Sequence, residues 1–512
     1  MAYRNLGEKT HSAVHLIALS GLAAGLPTNK IVLSLSLMIG ILNLVIEANL
    51  TSYWEKIKTS KSFLLIATLF GLHFIGILWS NDLHYAMNDI RIKIPLILIP
   101  LFFTIKPIED LGRHLITTIF ILSVLVTSLI NVAYHQHWIG NREYLDIRDL
   151  SLFGSHIRYG ILVAIASLII FYEIIIVKRW YLIPVLGWLV YYTFYSQVLS
   201  GVLALAAGLI GFIFVWLYNR TKLGGVLSMI LIAVSIVLLV QTLMNFSTPK
   251  NIPDVRNLEQ TTSAGNAYTH QLEGGFDLNG DPVLIYVCEK ELREEWPKRS
   301  NIHYDSLDQK KQPIKYTIIR YLASKGQRKD AEGIQSLTEK DVQNIELGKA
   351  TQQETENSFR ARISGLHFQL LNQEDPNGHS LLQRLEYWKT GLRLFKSNWL
   401  IGVGTGDVQQ AFDQQYEADK TKLLPERRLR AHNQFLTFGI TFGFLGISFF
   451  LMLLWYYFKT GLQNISFLSV AFIFIAIATF FIEDTLETQT GATLFAFFYA
   501  FFEPRVKRNS CF

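Results

Sequence analysis

The fold predicted by the sequence is an all-α polytopic membrane protein with about twelve transmembrane helices and one large, mostly helical loop domain. Three observations lead there. Half of the 512 residues are apolar and only 17% are charged, against roughly a quarter charged in soluble domains. The charge is also segregated: 115–133, 180–219 and 435–458 hold no Asp, Glu, Lys or Arg, while 245–432 is rich in all four. Finally, the short connections between apolar runs carry their Lys and Arg unevenly, the bias that orients helices in a bilayer. A soluble helical protein would need charged faces along its apolar runs, and these runs have none.

A span needs roughly 20 apolar residues. Backbone polar groups in lipid must be satisfied within the segment, so the runs read as helices. The expected spans are 12–26, 31–50, 62–80, 94–105, 115–134, 159–177, 180–197, 200–218, 224–244, 434–458, 465–482 and 488–503. The run 180–219 is long enough for two, with Ser196, Ser200 and Gly201 at the turn between them. Span 94–105 is short and contains Pro95 and Pro100, which predicts a kinked or re-entrant helix. The chain divides into nine spans over 1–244, a loop domain over 245–432, and three spans with a tail over 433–512.

With the N-terminus in the cytoplasm, the inner segments hold 15 basic residues. The outer short loops hold 6: Lys30, Arg91, Lys93, Arg142, Arg148 and Arg158. Both termini are therefore expected inside and the 245–432 loop outside. That loop balances 26 basic against 26 acidic residues, so the net charge of +6 belongs to the membrane flanks. No nucleic-acid partner is implied. Cys288 and Cys511 fall on opposite sides in this arrangement, which excludes a disulfide between them.

The loop reads as a folded domain. Asn279-Gly280 favours a two-residue hairpin turn before the apolar run Val283–Cys288. EKELREEWPKR reads as a short amphipathic helix, and Thr338 with Asp341 three residues on marks a helix start. In 381–395, Leu385, Trp388, Leu392 and Phe395 recur at helical spacing with Arg384, Lys389 and Arg393 interleaved. Such a helix suits a membrane interface, its cations snorkelling to water.

The chemistry concentrates at the end of this loop. Arg384 opens the amphipathic helix, Gly402, Gly404 and Gly406 follow in a tight loop, and Arg427, Arg428, Arg430, His432 and Asn433 stand directly before an uncharged run. Guanidinium forks match phosphate oxygens, and an imidazole can take a proton from a hydroxyl. A reaction between a lipid-linked anion and a hydroxyl needs that combination at a membrane surface. The glycines do not follow a strand inside a βαβ unit, so a tight turn is the reading rather than a nucleotide fingerprint. Glu483, Asp484 and Glu487, in the turn between the last two spans, could orient His432. The chain lacks Asp-x-Asp, so a metal-dependent nucleotide-sugar transferase using that motif is not supported.

Arg…Trp, then Gly-Val-Gly-Thr-Gly, then His-Asn-x-Phe-Leu before a Gly-rich apolar helix resembles the O-antigen ligase/polymerase superfamily, with the core of the likeness over about residues 380–455. DIRIKIPLILIPLFF, FGSHIRYGILVAI and IEDTLETQTGATLFAFF also look like relatives from it. The resemblance implies glycan transfer from undecaprenyl diphosphate to a lipid-linked acceptor hydroxyl, such as lipid A-core, without metal or other cofactor. It implies a multi-pass protein of the bacterial inner membrane with its site facing the periplasm. His432 would be the catalytic histidine, and Arg384 with one or more of Arg427, Arg428 and Arg430 would hold the diphosphate, completed by Arg158 and Arg91. One departure stands out. Relatives often carry an Arg in a Ser-Arg-Ser-Gly-like motif in mid-chain, whereas this chain reads Gln197-Val198-Leu199-Ser200-Gly201.

Two sister activities share the donor: glycan polymerase and protein O-oligosaccharyltransferase. A polysaccharide transporter is the rival from another class, but it should place ionisable groups at mid-membrane depth. Here the charges inside spans are Glu47, Glu173 and Glu503, all near the ends expected in the cytoplasm. A receptor with a binding ectodomain would have no need of His432.

Overall fold

A computed structural model describes residues 2–140, 150–246, 252–272, 275–277, 281–352, 376–377 and 380–504. Its regular structure is helical, and the extended pairings among the described residues are isolated bridges. Two compact units emerge, Met1–Leu231 with Arg384–Phe512, and Ile232–Gln383. Residues 384–432, expected within the loop domain, thus pack with the apolar helices.

The first unit begins with α1 (Ala2–Thr28), α2 (Lys30–Glu47), α3 (Leu50–Thr59), α4 (Lys61–Ile75), α5 (Leu83–Lys93), α6 (Pro95–Ile105) and α7 (Asp110–His135). It continues with α8 (His156–Ile175), α9 (Ile183–Tyr195), α10 (Leu199–Arg220) and the start of α11 (Lys222–Phe246). Polar side chains set several starts: Asn29 accepts from the Ile31 amide, and Ser60 from that of Phe63, meeting donors that a first turn leaves unpaired.

Among the described residues, six helices are long and apolar enough to cross a bilayer: Lys30–Glu47, Lys61–Trp79, Asp110–His135, His156–Ile175, Leu199–Arg220 and Gln434–Gln463. Of the other expected spans, 94–105, 180–197, 465–482 and 488–503 form helices of 16 residues or fewer. The 94–105 run becomes α6, 11 residues with Pro100 inside; at 1.5 Å per residue it rises only about 16 Å, half a hydrocarbon core. Helix α9 has 13 residues. Where α8 crosses α10, a Cβ on Gly160 would lie 3.1 Å from the Gly201 Cα, so two glycines let the backbones touch.

After α12 (Glu289–Glu295) to α15 (Glu339–Glu346), which belong to the second unit, the first unit resumes with α16 (Ser380–Ser397), α17 (Val408–Ala418), α18 (Gln434–Gln463), α19 (Phe467–Ile482) and α20 (Gln489–Phe501). The apolar stripe expected on α16 divides, with Trp388 and Phe395 packed against the buried cluster of α17. Leu385 and Leu392 are exposed, whereas Tyr387 and Leu394 are buried against Val408, Phe412 and Tyr416 of α17. Tertiary packing against α17 decides the inward face, which takes in half of the stripe together with Tyr387 and Leu394.

Helix α18 is broken at Gly443 (φ 65°, ψ −153°), a backbone region essentially reserved for glycine. The loop before α17 fills the break. The Val403 amide donates to Ile440 O (2.8 Å), Gly404 to Thr441 O (3.0 Å), and Phe444 back to Trp399 O (2.6 Å). Broken helices are tolerated at membrane depth where other backbone re-satisfies the freed groups, and here the glycine loop does so. A Cβ on Gly443 would sit 2.3 Å from the Leu400 carbonyl carbon. Gly443→Ala is therefore expected to cost about 1–3 kcal/mol from backbone strain alone, with the clash added. The check is a thermal melt of the purified variant in detergent, where an unchanged midpoint would contradict the packing.

The second unit holds α12, α13 (Ile314–Ser324), α14 (Ala331–Gln335) and α15 (Glu339–Glu346) around a core that includes Trp296, Tyr304, Ile318 and Leu322. Thr338 and Asp341 form a reciprocal capping box at the start of α15, as their spacing predicts. The expected hairpin turn at Asn279-Gly280 lies outside the described residues. The run Val283–Cys288 does not form a strand; Val287 makes isolated bridges to Thr269 and Lys329 instead. Cys288 is buried and unpaired, and Cys511 also lies outside the described residues.

Candidate functional site

Three segments of the first unit converge on the turn between α19 and α20. Helix α16 brings Arg384, the chain entering α18 brings Arg430 and His432, and α5 brings Lys93. The turn supplies Glu483, Asp484 and Glu487, all buried. The uncharged run starts at Asn433, whose side chain caps α18 through the Leu436 amide (3.0 Å) and donates to Phe481 O (3.0 Å). His432, just before this cap, has φ +44°, a left-handed conformation in which histidine is enriched.

Acids and bases alternate across the site. Arg384 Nη2 lies 2.5 Å from Glu483 Oε1, while its Nε donates to Ile482 O (3.2 Å). His432 Nδ1 is 3.5 Å from Glu483 Oε2 and 3.3 Å from Asp484 Oδ1, at ion-pair range but without completing a hydrogen bond. Arg430 reaches Glu487 (3.1 Å) and Asp484 (3.9 Å). Lys93, only 1% exposed, joins Glu487 (2.7 Å) to Asp89 (2.6 Å). Gln434 fastens the turn from the other side, donating to Glu487 Oε1 (3.0 Å) and accepting from the Leu486 amide (2.8 Å).

The electrostatics follow from this alternation. Burial disfavours a charged His432 ring, but the facing Asp484 and Glu483 carboxylates outweigh it and push its pKa up to about 9. The imidazole thus holds its proton at neutral pH. Burial likewise opposes the charge of Arg430, yet Glu487 and Asp484 hold it more firmly protonated than usual. Asp484 and Glu487 are pulled below the ordinary carboxylate range against their own burial, Asp484 by His432 and Glu487 by Lys93 and Arg430.

Donor atoms of His432, Glu483 and Asp484 all lie within 4.8 Å of one another, near enough to share a metal ion. Arg384 already meets Glu483, however, and Arg430 faces Asp484. Protein cations therefore compensate the negative charge that a metal would need.

The other expected residues divide. Arg158, near the start of α8, lies within electrostatic reach of Glu483 and Asp484, and its Nε is buried without a hydrogen-bond partner. Arg91 does not join them: it is exposed, bonds Asn88 (2.8 Å), and stands two residues from Lys93, about 200° around the helix. Arg427 is exposed, its carbonyl accepting from Tyr387 Oη (2.8 Å), and Arg428 Nε bonds Leu423 O (3.3 Å). Gly402, Gly404 and Gly406 are occupied with structure. The Gly404 amide serves the break in α18, the Gly402 amide donates to Asn398 O (2.9 Å), and the Gly406 amide donates to Ser80 Oγ (2.9 Å).

Sequence reasoning missed Lys93, Asp89 and Gln434, and Tyr387, whose ring stacks obliquely 5.6 Å from that of His432. Lys93 and Glu487 are 394 positions apart, so no local spacing announces the pair. The available signal was a lysine placed directly before the apolar run of α6.

Residues 352–451 match the family model described as O-Antigen ligase. No curated protein matches the chain. The matched segment, which includes Arg384, the glycine loop and His432, is similar to the O-antigen ligase family.

Proposed function

We propose that this protein transfers a glycan from undecaprenyl diphosphate to the hydroxyl of a lipid-linked acceptor such as lipid A-core, at the periplasmic face of the bacterial inner membrane, without a metal ion. The observation that carries the reading is the meeting of Arg384, Arg430 and His432 on one carboxylate turn. Arg384, Arg430 and Arg158 receive the diphosphate, the guanidinium fork suiting its oxygens. Arg158 stands on the helix that touches α10 at Gly201, and so supplies a cation beside the mid-chain stretch that lacks one. Arg427 and Arg428 add cations along the approach to His432.

In the reaction, the acceptor oxygen bonds to the anomeric carbon as the bond to the diphosphate breaks, and undecaprenyl diphosphate leaves. The acceptor's proton passes to His432. Asp484 and Glu483 face Nδ1, which selects the neutral tautomer protonated there and leaves the Nε2 lone pair to take the proton.

A pH profile tests this role. The working base is the neutral ring, and the ring is charged below about 9. Transfer should therefore rise with pH, about tenfold per unit on the acidic limb, and level off near the folded pKa. Asp484→Asn removes a carboxylate that raises this pKa, so the limb should move down toward the ordinary value of 6.5. A single-turnover rate that stays flat or falls as pH rises toward 9 would rule out His432 as the base. The acceptor separates ligase from polymerase: a ligase null strain accumulates already polymerised glycan on undecaprenyl diphosphate, and a polymerase null passes single repeat units to the final acceptor.

A further inference from the structure

Within 4 Å each carboxylate on the turn has two cationic neighbours, one an arginine and the other not. Glu483 lies 2.5 Å from Arg384 and 3.5 Å from His432; Asp484 lies 3.9 Å from Arg430 and 3.3 Å from His432. Glu487 lies 3.1 Å from Arg430 and 2.7 Å from Lys93. Lys93, the non-arginine partner of Glu487, is held elsewhere as well. Lys93 is clamped by Asp89, and α5 is anchored at its start by Asp407, which accepts from the Asn81 and Asp82 amides (2.9 Å each). Lys93 is therefore a fixed buried charge, whereas Arg430 extends from a segment without regular structure.

A buried carboxylate stripped of its only cation is strongly destabilised. One with a second cation in place can release the first. We propose that the turn is a stand-in anion for the donor's diphosphate: Arg430 and Arg384 rest on Glu487 and Glu483 until the donor arrives, then exchange onto the diphosphate. Lys93 makes the exchange possible by remaining as the counter-ion of Glu487, and is a positioning residue rather than a catalytic one. No bond is made or broken; ion pairs are traded. The inference rests on the diphosphate-binding role given above to Arg384 and Arg430.

Exchange and simple scaffolding predict different signs. With Lys93→Met, Glu487 depends on Arg430 alone, and diphosphate binding should weaken about tenfold or more. With Glu487→Gln, Arg430 loses its competitor while Lys93 keeps Asp89, so binding should tighten. The double variant, neutral on both sides, should bind at least as well as the native protein. The test is titration of the full-length protein in detergent with farnesyl diphosphate, a soluble prenyl diphosphate. Equal weakening by Lys93→Met and Glu487→Gln would make the pair a scaffold and overturn the exchange alone. No binding by the native protein would overturn the diphosphate reading itself, and the exchange with it. Should Lys93→Met fail to accumulate, Glu487→Gln and the double variant decide, since weakening in either contradicts the proposal.

Discussion

His432→Ala is expected to lower glycan transfer by at least about 10²-fold, the lower end of what a general acid–base group contributes, while membrane insertion and protein level stay normal. The structure explains why the fold should survive. His432 is partly exposed and completes no hydrogen bond through Nδ1, and the cap of α18 is made by Asn433 instead. Removing the ring relieves the turn of one cation, but Arg384 and Arg430 remain on Glu483 and Asp484. Transfer would be followed as glycan appearing on the acceptor in membranes containing matched amounts of each protein. Near-native transfer by the variant would reduce His432 to a helix-end residue.

The second large effect is expected at Arg384. Arg384→Lys keeps the charge but not the planar fork that meets Glu483 and the Ile482 carbonyl together. Lysine should be clearly impaired. Arg384→Ala should lose about 10²–10³-fold, the scale seen when one preorganised donor to a developing oxyanion is removed. The comparison is kcat/KM for the donor across the three side chains. Equal values would leave Arg384 as an anchor for α16 and withdraw it from the diphosphate.

Much of this was legible in the sequence because it depends on local order. Segregated charge gives apolar helices whatever their tertiary arrangement, and a Thr338-Asp341 pair caps α15 through bonds three residues apart. The juxtaposition of Arg430, His432 and Asn433 before an uncharged run likewise survives into the site, because all three lie at one helix entry. What needs tertiary information was not legible. The inward face of α16 is chosen by α17. The glycine loop reads as a tight turn, but that its Val403 and Gly404 amides are spent on carbonyls freed at Gly443 needs the tertiary structure. Arg91 and Lys93 are adjacent basic residues of one outer loop by sequence, but helical geometry sends Lys93 into the protein and leaves Arg91 on its surface. The short 94–105 run, by contrast, was legible and forms the 11-residue α6.

The measurement that bears most directly on donor use is the lipid-linked glycan pool of a null strain, complemented with either the native protein or His432→Ala. Loss of the protein should leave glycan accumulated on undecaprenyl diphosphate and absent from its final acceptor, with the native protein clearing the pool and His432→Ala failing to do so. An unchanged pool in the null strain, or its clearance by His432→Ala, would contradict transfer from this donor at this site.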